Sequence, residues 1–232
     1  MPAVSYLDRR SEIETYFDRT AADAWKRLTS DAPVGRIRAT VRAGRDTMRA
    51  TLLSWLPDDL TGSRILDAGC GTGAFAVEAA RRGADVLAID LSGNLVDLAR
   101  ERAPRDLPGR IEFRVGDMLD PALGRFDHAV GMDSLIHYSA EDCVRVLDAL
   151  APRTERSILF TFAPRTPPLA LMHAIGRLFP RGDRAPSIQP VVEAQLRARL
   201  AAAPVLSAWR FGRSRRVKSG FYTSQALELV RA

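Results

Sequence analysis

Apolar and polar positions recur along this chain with two different periods. Between residues 8 and 28, Ile13, Tyr16, Phe17, Ala21, Trp25 and Leu28 fall three or four apart, the spacing of one helical face. A second such face, Ile37, Val41, Met48, Leu52 and Trp55, follows the breaker Pro33 to Gly35. Both faces precede the first convincing strand. They predict a helical cap over residues 1–57, joined through the loop Pro57 to Gly62 to a main unit over 58–232.

From Ser63 the period changes. Short apolar runs at Arg64–Leu66, Asp85–Ile89, Ile111–Val115, Asp127–Met132 and Ser157–Phe162 read as strands. Helical stretches separate several of them: Ala74 to Arg82, a Ser92-capped helix to Arg102, and a helix behind Ser139 with Glu141 and Asp142 in its first turn. After Pro164 the pattern predicts an apolar helix over Leu169–Phe179 and a polar loop over Arg181–Pro190. A helix over Val191–Ala202 and a hairpin pairing Leu206–Phe211 with Val217–Tyr222 complete it. Alternating β and α segments predict an α/β fold, a doubly wound and mostly parallel sheet of seven strands of the Rossmann-like kind.

Composition narrows the class. With 232 residues and 46% hydrophobic content, the chain supports one sizeable core and is not intrinsically disordered. Thr166 to Gly176, the charge-free apolar run of the last third, is 11 residues long, against the ~20 needed to span a bilayer. The first residues reach Asp8, Arg9 and Arg10 with no apolar stretch, so no secretory signal is expected. Cys70 and Cys143 do not make a disulfide framework, and the expected compartment is the cytoplasm. Charge is unevenly spread: residues 1–150 carry 20 basic and 24 acidic groups, residues 151–232 carry 14 and 4. The basic third fits an anionic ligand, an acidic partner, a membrane surface or nucleic acid. Equally, 32 of the 34 basic residues being Arg fits a general codon bias.

The densest chemistry lies in Asp67-Ala68-Gly69-Cys70-Gly71-Thr72-Gly73, between a strand and a helix. Glycines there admit close approach of a ligand to the backbone. The run also satisfies the dinucleotide pattern G-x-G-x-x-G/A, so its neighbours must decide. Asp67 would repel a pyrophosphate but suits a ligand carrying an ammonium and a sulfonium. Asp90 ends the second strand, where a carboxylate takes ribose hydroxyls, and Gly116-Asp117-Met118 ends the third, where an acid accepts from an adenine amino group. Acids at successive strand ends resemble class I methyltransferases dependent on S-adenosylmethionine (SAM). Asp67, Gly69, Gly71, Gly73, Asp90, Leu91, Asp117, Met118 and Met132 are the candidate SAM-binding residues. Cys70 reads as a small turn residue rather than a nucleophile.

The acceptor side begins at Met132-Asp133-Ser134-Leu135-Ile136-His137-Tyr138. It lacks the Asn/Asp-Pro-Pro-aromatic of amino methylation and a Pro-Cys nucleophile. Ala163-Pro164 stands where a metal-dependent catechol site has Asp-Asn. No protein-bound metal is expected, and methylation at an oxygen is the simplest reading. His137 is either an orienter of the acceptor oxygen or a capping histidine before the Ser139 helix. His128 and His173 read as structural.

A wider resemblance runs through Tyr16-Phe17, Trp25-Lys26-Arg27, Val41-Arg42-Ala43-Gly44-Arg45, Leu135-Ile136-His137-Tyr138 and Phe162-Ala163-Pro164-Arg165-Thr166. It continues through Ile175-Gly176-Arg177-Leu178-Phe179-Pro180 to Phe221-Tyr222-Thr223-Ser224. These segments, in order, resemble the magnesium protoporphyrin IX methyltransferases of chlorophyll and bacteriochlorophyll synthesis. Leu28-Thr29-Ser30-Asp31 departs from relatives that carry a tyrosine there. The resemblance implies methyl transfer from SAM to a propionate of magnesium protoporphyrin IX, the magnesium belonging to the substrate. It implies catalytic roles for His137 and Tyr138, and substrate contacts from Arg42, Arg45, Tyr16 and Met172 under a lid of the two N-terminal helices. Its implied partners are the magnesium chelatase large subunit and a peripheral contact with the photosynthetic or cytoplasmic membrane, with no nucleic acid. A quinone-type O-methyltransferase, an RNA methyltransferase and a non-catalytic SAM-binding protein are the competing readings. Against RNA stand the 7% aromatic content and the lack of an appended RNA module.

Overall fold

Consecutive apolar residues in the central strands are explained by burial on both sheet faces, as parallel sheets require. In the computed structural model, which describes residues 6–16, 18, 35–165 and 188–232, seven strands form one sheet. They are β1 (Arg64–Ala68), β2 (Asp85–Asp90), β3 (Arg110–Val115), β4 (Phe126–Gly131), β5 (Thr154–Phe162), β6 (Trp209–Ser219) and β7 (Tyr222–Arg231). Their order is β3-β2-β1-β4-β5-β7-β6, parallel up to β5, with β7 antiparallel to β5 and β6 antiparallel to β7. Strand order reverses between β1 and β4, which opens a crevice at their carboxyl ends.

Helices α1 (Tyr6–Thr15), α2 (Arg36–Leu53), α3 (Ala74–Arg81), α4 (Gly93–Arg102), α5 (Ala140–Leu150) and α6 (Glu193–Ala202) surround the sheet. Leu66, Leu87, Ile89, Ala129, Ile158 and Phe160 face one core with Val146, Leu147 and Leu196. Their neighbours Ile65, Val86, Ala88, Val130 and Leu159 face the other, with Met48, Leu52, Phe75 and Ala79. The caps follow the sequence: Ser92 accepts from the Leu95 N–H, and Ser139 from the Asp142 N–H. His128 is buried in β4 against Ser157 Oγ at 2.7 Å, a packing role.

Two expectations are corrected. The hairpin is not Leu206–Phe211 with Val217–Tyr222. The first strand runs through the polar stretch Arg213–Arg216 to Ser219, and the chain turns at Gly220-Phe221. β6 is an edge strand whose residues 212–216 are solvent-exposed, so arginines extend it without a desolvation penalty. Its partner is the buried run through Ala226 and Leu229. On α2, Ile37 does not join the buried face but is 59% exposed, because burial begins only at Gly44. The helix expected at Leu169–Phe179, His173, and residues 19–34 of the cap lie outside the described residues.

Candidate active site

The glycine turn is built by competition between backbone and cavity. The Gly69 and Cys70 N–H groups both donate to Ile89 O, at 2.8 and 3.0 Å, which folds the turn over the end of β2. Gly69 has φ +82°, and a Cβ there would lie 2.5 Å from Ser134 Cβ, so only glycine fits. A Cβ at Gly71 would meet nothing within 4 Å: that space is cavity. Gly73 does a different job from the one expected. Its φ is +76° and its absent side chain makes room for Phe113 and Ala99, so it packs the turn rather than lining the cavity.

Asp67 and Asp90 form the acidic floor. Asp90 accepts from the Gly71 N–H at 2.8 Å and the Ser92 N–H at 3.0 Å, holding the turn in place. Asp67 is 1% exposed, accepts from the Ala76 N–H, and has an Oδ2 with no hydrogen-bond partner. Burial, reinforced by neighbouring Asp90, raises its pKa to about 7. Burial likewise raises Asp90, and it holds the Cys70 thiol protonated, which excludes a thiolate nucleophile there. A buried carboxylate oxygen without a donor at the cavity floor is the partner that a cationic ligand needs. On that ground the residues present fit SAM.

Above this floor lies a cavity of about 320 Å³. Asp67, Gly69, Gly71, Asp90, Leu91, Met118 and Met132 line it, together with Gly116. His137 and Tyr138 line it too, both buried, at the end of a 3-10 turn (Leu135–His137). That turn is fixed from three sides. Gln189 N–H donates to Ile136 O at 2.8 Å, Tyr138 N–H donates to Leu135 O at 3.1 Å, and the Cys143 thiol, pushed up to about 12 by burial, contacts Leu135 O at 3.6 Å.

Arg42 and Arg45 of α2 reach the same cavity, beside Asp46 and Arg49. Asp117 does not line it. Its carboxylate pairs with Arg10 of α1 at 2.8 Å and accepts from the Leu119 N–H at 2.9 Å, while its neighbours Gly116 and Met118 face inward. Tyr16 lies just past α1 and is not among the lining residues, whereas Ile13 is. Met172 lies outside the described residues. Among the described residues no helix is long and apolar enough to cross a membrane, and no cluster of three His, Cys, Asp or Glu side chains could hold a metal.

Sequence reasoning missed two anchors. Asp18 accepts from Ser92 Oγ at 3.2 Å and the Asn94 N–H at 3.1 Å, tying the chain after α1 to the start of α4. Asp133, just past β4, gathers donors from three other elements. Arg45 Nη1 lies 2.7 Å from its Oδ2, Tyr222 OH 3.0 Å and Ser224 Oγ 3.2 Å from its Oδ1, and its own N–H donates to Thr161 Oγ1 at 2.7 Å. The only signal was its place at the acceptor edge. Tyr222 stood in a segment of the resemblance, but the misplaced hairpin did not put it beside Asp133.

A family profile described as magnesium-protoporphyrin IX methyltransferase C-terminus matches residues 131–231, and a general methyltransferase-domain profile matches residues 65–155. The chain is 51% identical over 229 residues to the magnesium-protoporphyrin O-methyltransferase of Rhodobacter capsulatus, covering 98% of this chain and 99% of that one. It is 30% identical over 230 residues to the enzyme of the same name from Synechocystis, covering 97% and 98%. The crystal structure of magnesium protoporphyrin IX methyltransferase from Synechocystis with bound SAH matches at a TM-score of 0.84 and 28% identity, over 96% of this chain and 99% of that chain.

Proposed function

Because the chain belongs to the magnesium protoporphyrin IX methyltransferase family, we infer that it transfers the methyl group of SAM to a propionate of magnesium protoporphyrin IX. The product is the monomethyl ester of the (bacterio)chlorophyll route. The observation that carries this reading is one cavity lined by the acids Asp67 and Asp90, the arginines Arg42 and Arg45, and His137.

SAM supplies the methyl group on a sulfonium, and transfer to a carboxylate oxygen requires no proton to move. A propionate ionises near the ~4.3 of a glutamate, so at neutral pH no strong base is needed. The chain therefore has three tasks. Asp67 and Asp90 bind the cationic and hydroxyl-bearing parts of the co-substrate. His137 donates to the propionate and orients it, while Arg42 and Arg45 draw the porphyrin carboxylates to the cavity. Buried Met118, Met132 and Tyr138 keep water from the reacting carboxylate, whose charge is lost on the way to product. In this reading the described helices α1 and α2 cap the cavity, α2 as the anchored part and the α1 segment held through Arg10 and Asp18.

The finer setting is a membrane surface. Ile37 and Phe221, 59% and 61% exposed, belong to elements that touch, since a Cβ at Gly220 would overlap Thr40 of α2. Residues 36–45 and 209–223 around them contain no acidic side chain. An apolar pair in a basic field beside the cavity wall suits an anionic lipid surface. The magnesium chelatase large subunit is the alternative donor of substrate. The functional reading is tested by incubating the protein with SAM and magnesium protoporphyrin IX, with metal-free protoporphyrin and bulk RNA in parallel. Monomethyl ester from the magnesium porphyrin supports it, and methylation of RNA alone overturns it.

A further inference from the structure

Asp133 is the one non-glycine residue with positive φ among the described residues, at +55°. Aspartate tolerates this conformation better than most residues, but it is still disfavoured, and neighbouring interactions must hold it. Here the holding groups come from the acceptor side. The side chain, 5% exposed, sits 2.7 Å from Arg45 Nη1, with Tyr222 and Ser224 hydroxyls on Oδ1 and the Thr161 hydroxyl at 3.2 Å. Burial beside Asp133 raises the Tyr222 pKa, so its phenol stays protonated and remains a donor. Asp133, four residues before His137, and its ion-pair partner Arg45 both line the cavity.

We propose that Asp133 is a positioning residue of the methyl-transfer site: its carboxylate fixes the Arg45 guanidinium over the cavity and so sets affinity for the porphyrin carboxylates, while leaving the SAM floor alone. This rests on the reading above that Arg45 faces the porphyrin. Two features separate the positioning role from simple riveting of α2. The helix already has apolar anchors in Met48, Leu52 and Leu53, all buried. And the bond is to Arg45, on the cavity wall, rather than to an arginine on the outer face of the helix.

The test compares wild type with Asp133→Asn, Tyr222→Phe, Arg45→Met and the Asp133→Asn/Arg45→Met double variant. Asparagine tolerates the same backbone, so Asp133→Asn alters mainly charge, and Tyr222→Phe keeps the ring while removing one donor. SAM affinity is measured by calorimetry, porphyrin affinity by titration of the Soret band, and kcat and KM by ester formation. Expected is a rise of about tenfold in porphyrin Kd and KM for Asp133→Asn, a smaller rise for Tyr222→Phe, and SAM affinity within about twofold. The double variant is expected to be no worse than Arg45→Met alone. Equal losses of SAM and porphyrin affinity, or effects that multiply in the double variant, overturn the proposal. If Asp133→Asn does not fold, the same two affinities of Tyr222→Phe decide. Wild type that neither binds nor methylates the porphyrin overturns the functional reading itself, a result distinct from variants that behave like an active wild type.

Discussion

Gly44 of α2 packs against Tyr222 of β7, so close that a Cβ at position 44 would overlap Cβ, Cγ and Cδ1 of the tyrosine. These atoms sit near the backbone of a buried residue and cannot swing aside. Gly44→Ala is therefore expected to lower stability by about 1–3 kcal/mol despite the better helix propensity of alanine, because overpacking outweighs it. By lifting α2 it should also raise porphyrin KM. Thermal denaturation and steady-state kinetics check both effects.

His137→Ala should lower kcat on the order of 100-fold, the scale of losing a group that positions the reacting atoms. SAM affinity should change little, since in this reading Asp67 and Asp90, not His137, hold the co-substrate. His137→Gln, which keeps a donor, should lose less. Equal activity of the alanine and wild-type proteins would remove His137 from the mechanism.

Asp67 gives the free protein a pH signature. Its folded pKa of about 7 exceeds the ~3.9 of an exposed aspartate, so the folded state retains a proton that the unfolded chain releases. Stability from this group is full below about pH 4 and declines toward pH 7 by up to ~1.4 kcal/mol per unit. Affinity for cationic SAM should rise over the same interval as the carboxylate ionises. Asp67→Asn should flatten the pH dependence of Tm in that window and weaken SAM binding at pH 8, as read by calorimetry.

Ile37→Asp/Phe221→Asp should reduce co-sedimentation with anionic vesicles while leaving turnover of detergent-dispersed porphyrin unchanged. Vesicle binding equal to that of wild type would remove this face from the membrane contact.

Much of the fold was legible because both periods are strong. Two-sided burial makes β1, β2, β4 and β5 read as apolar runs, and Ser92 and Ser139 mark their helices. The hairpin was displaced because an edge strand such as β6 has no apolar pattern to betray it, so Arg213–Arg216 read as a turn. That error hid the pairing of Tyr222, a residue of the resemblance, with Asp133. The acidic cavity floor at Asp67 and Asp90 was legible because acids at strand ends have few packing reasons to be there. Gly73 and Asp117 stand in the same motifs, but their surroundings are settled by Phe113 and Arg10, which come from other elements. A sequence pattern does not carry such long-range partners.

The most direct test of the central claim follows one labelled methyl group from SAM to magnesium protoporphyrin IX in the presence of purified protein. The account predicts label in the porphyrin at one methyl per macrocycle, released as methanol on alkaline hydrolysis, as an ester must be. Label that resists hydrolysis, or that appears in the porphyrin without dependence on the protein, would contradict it.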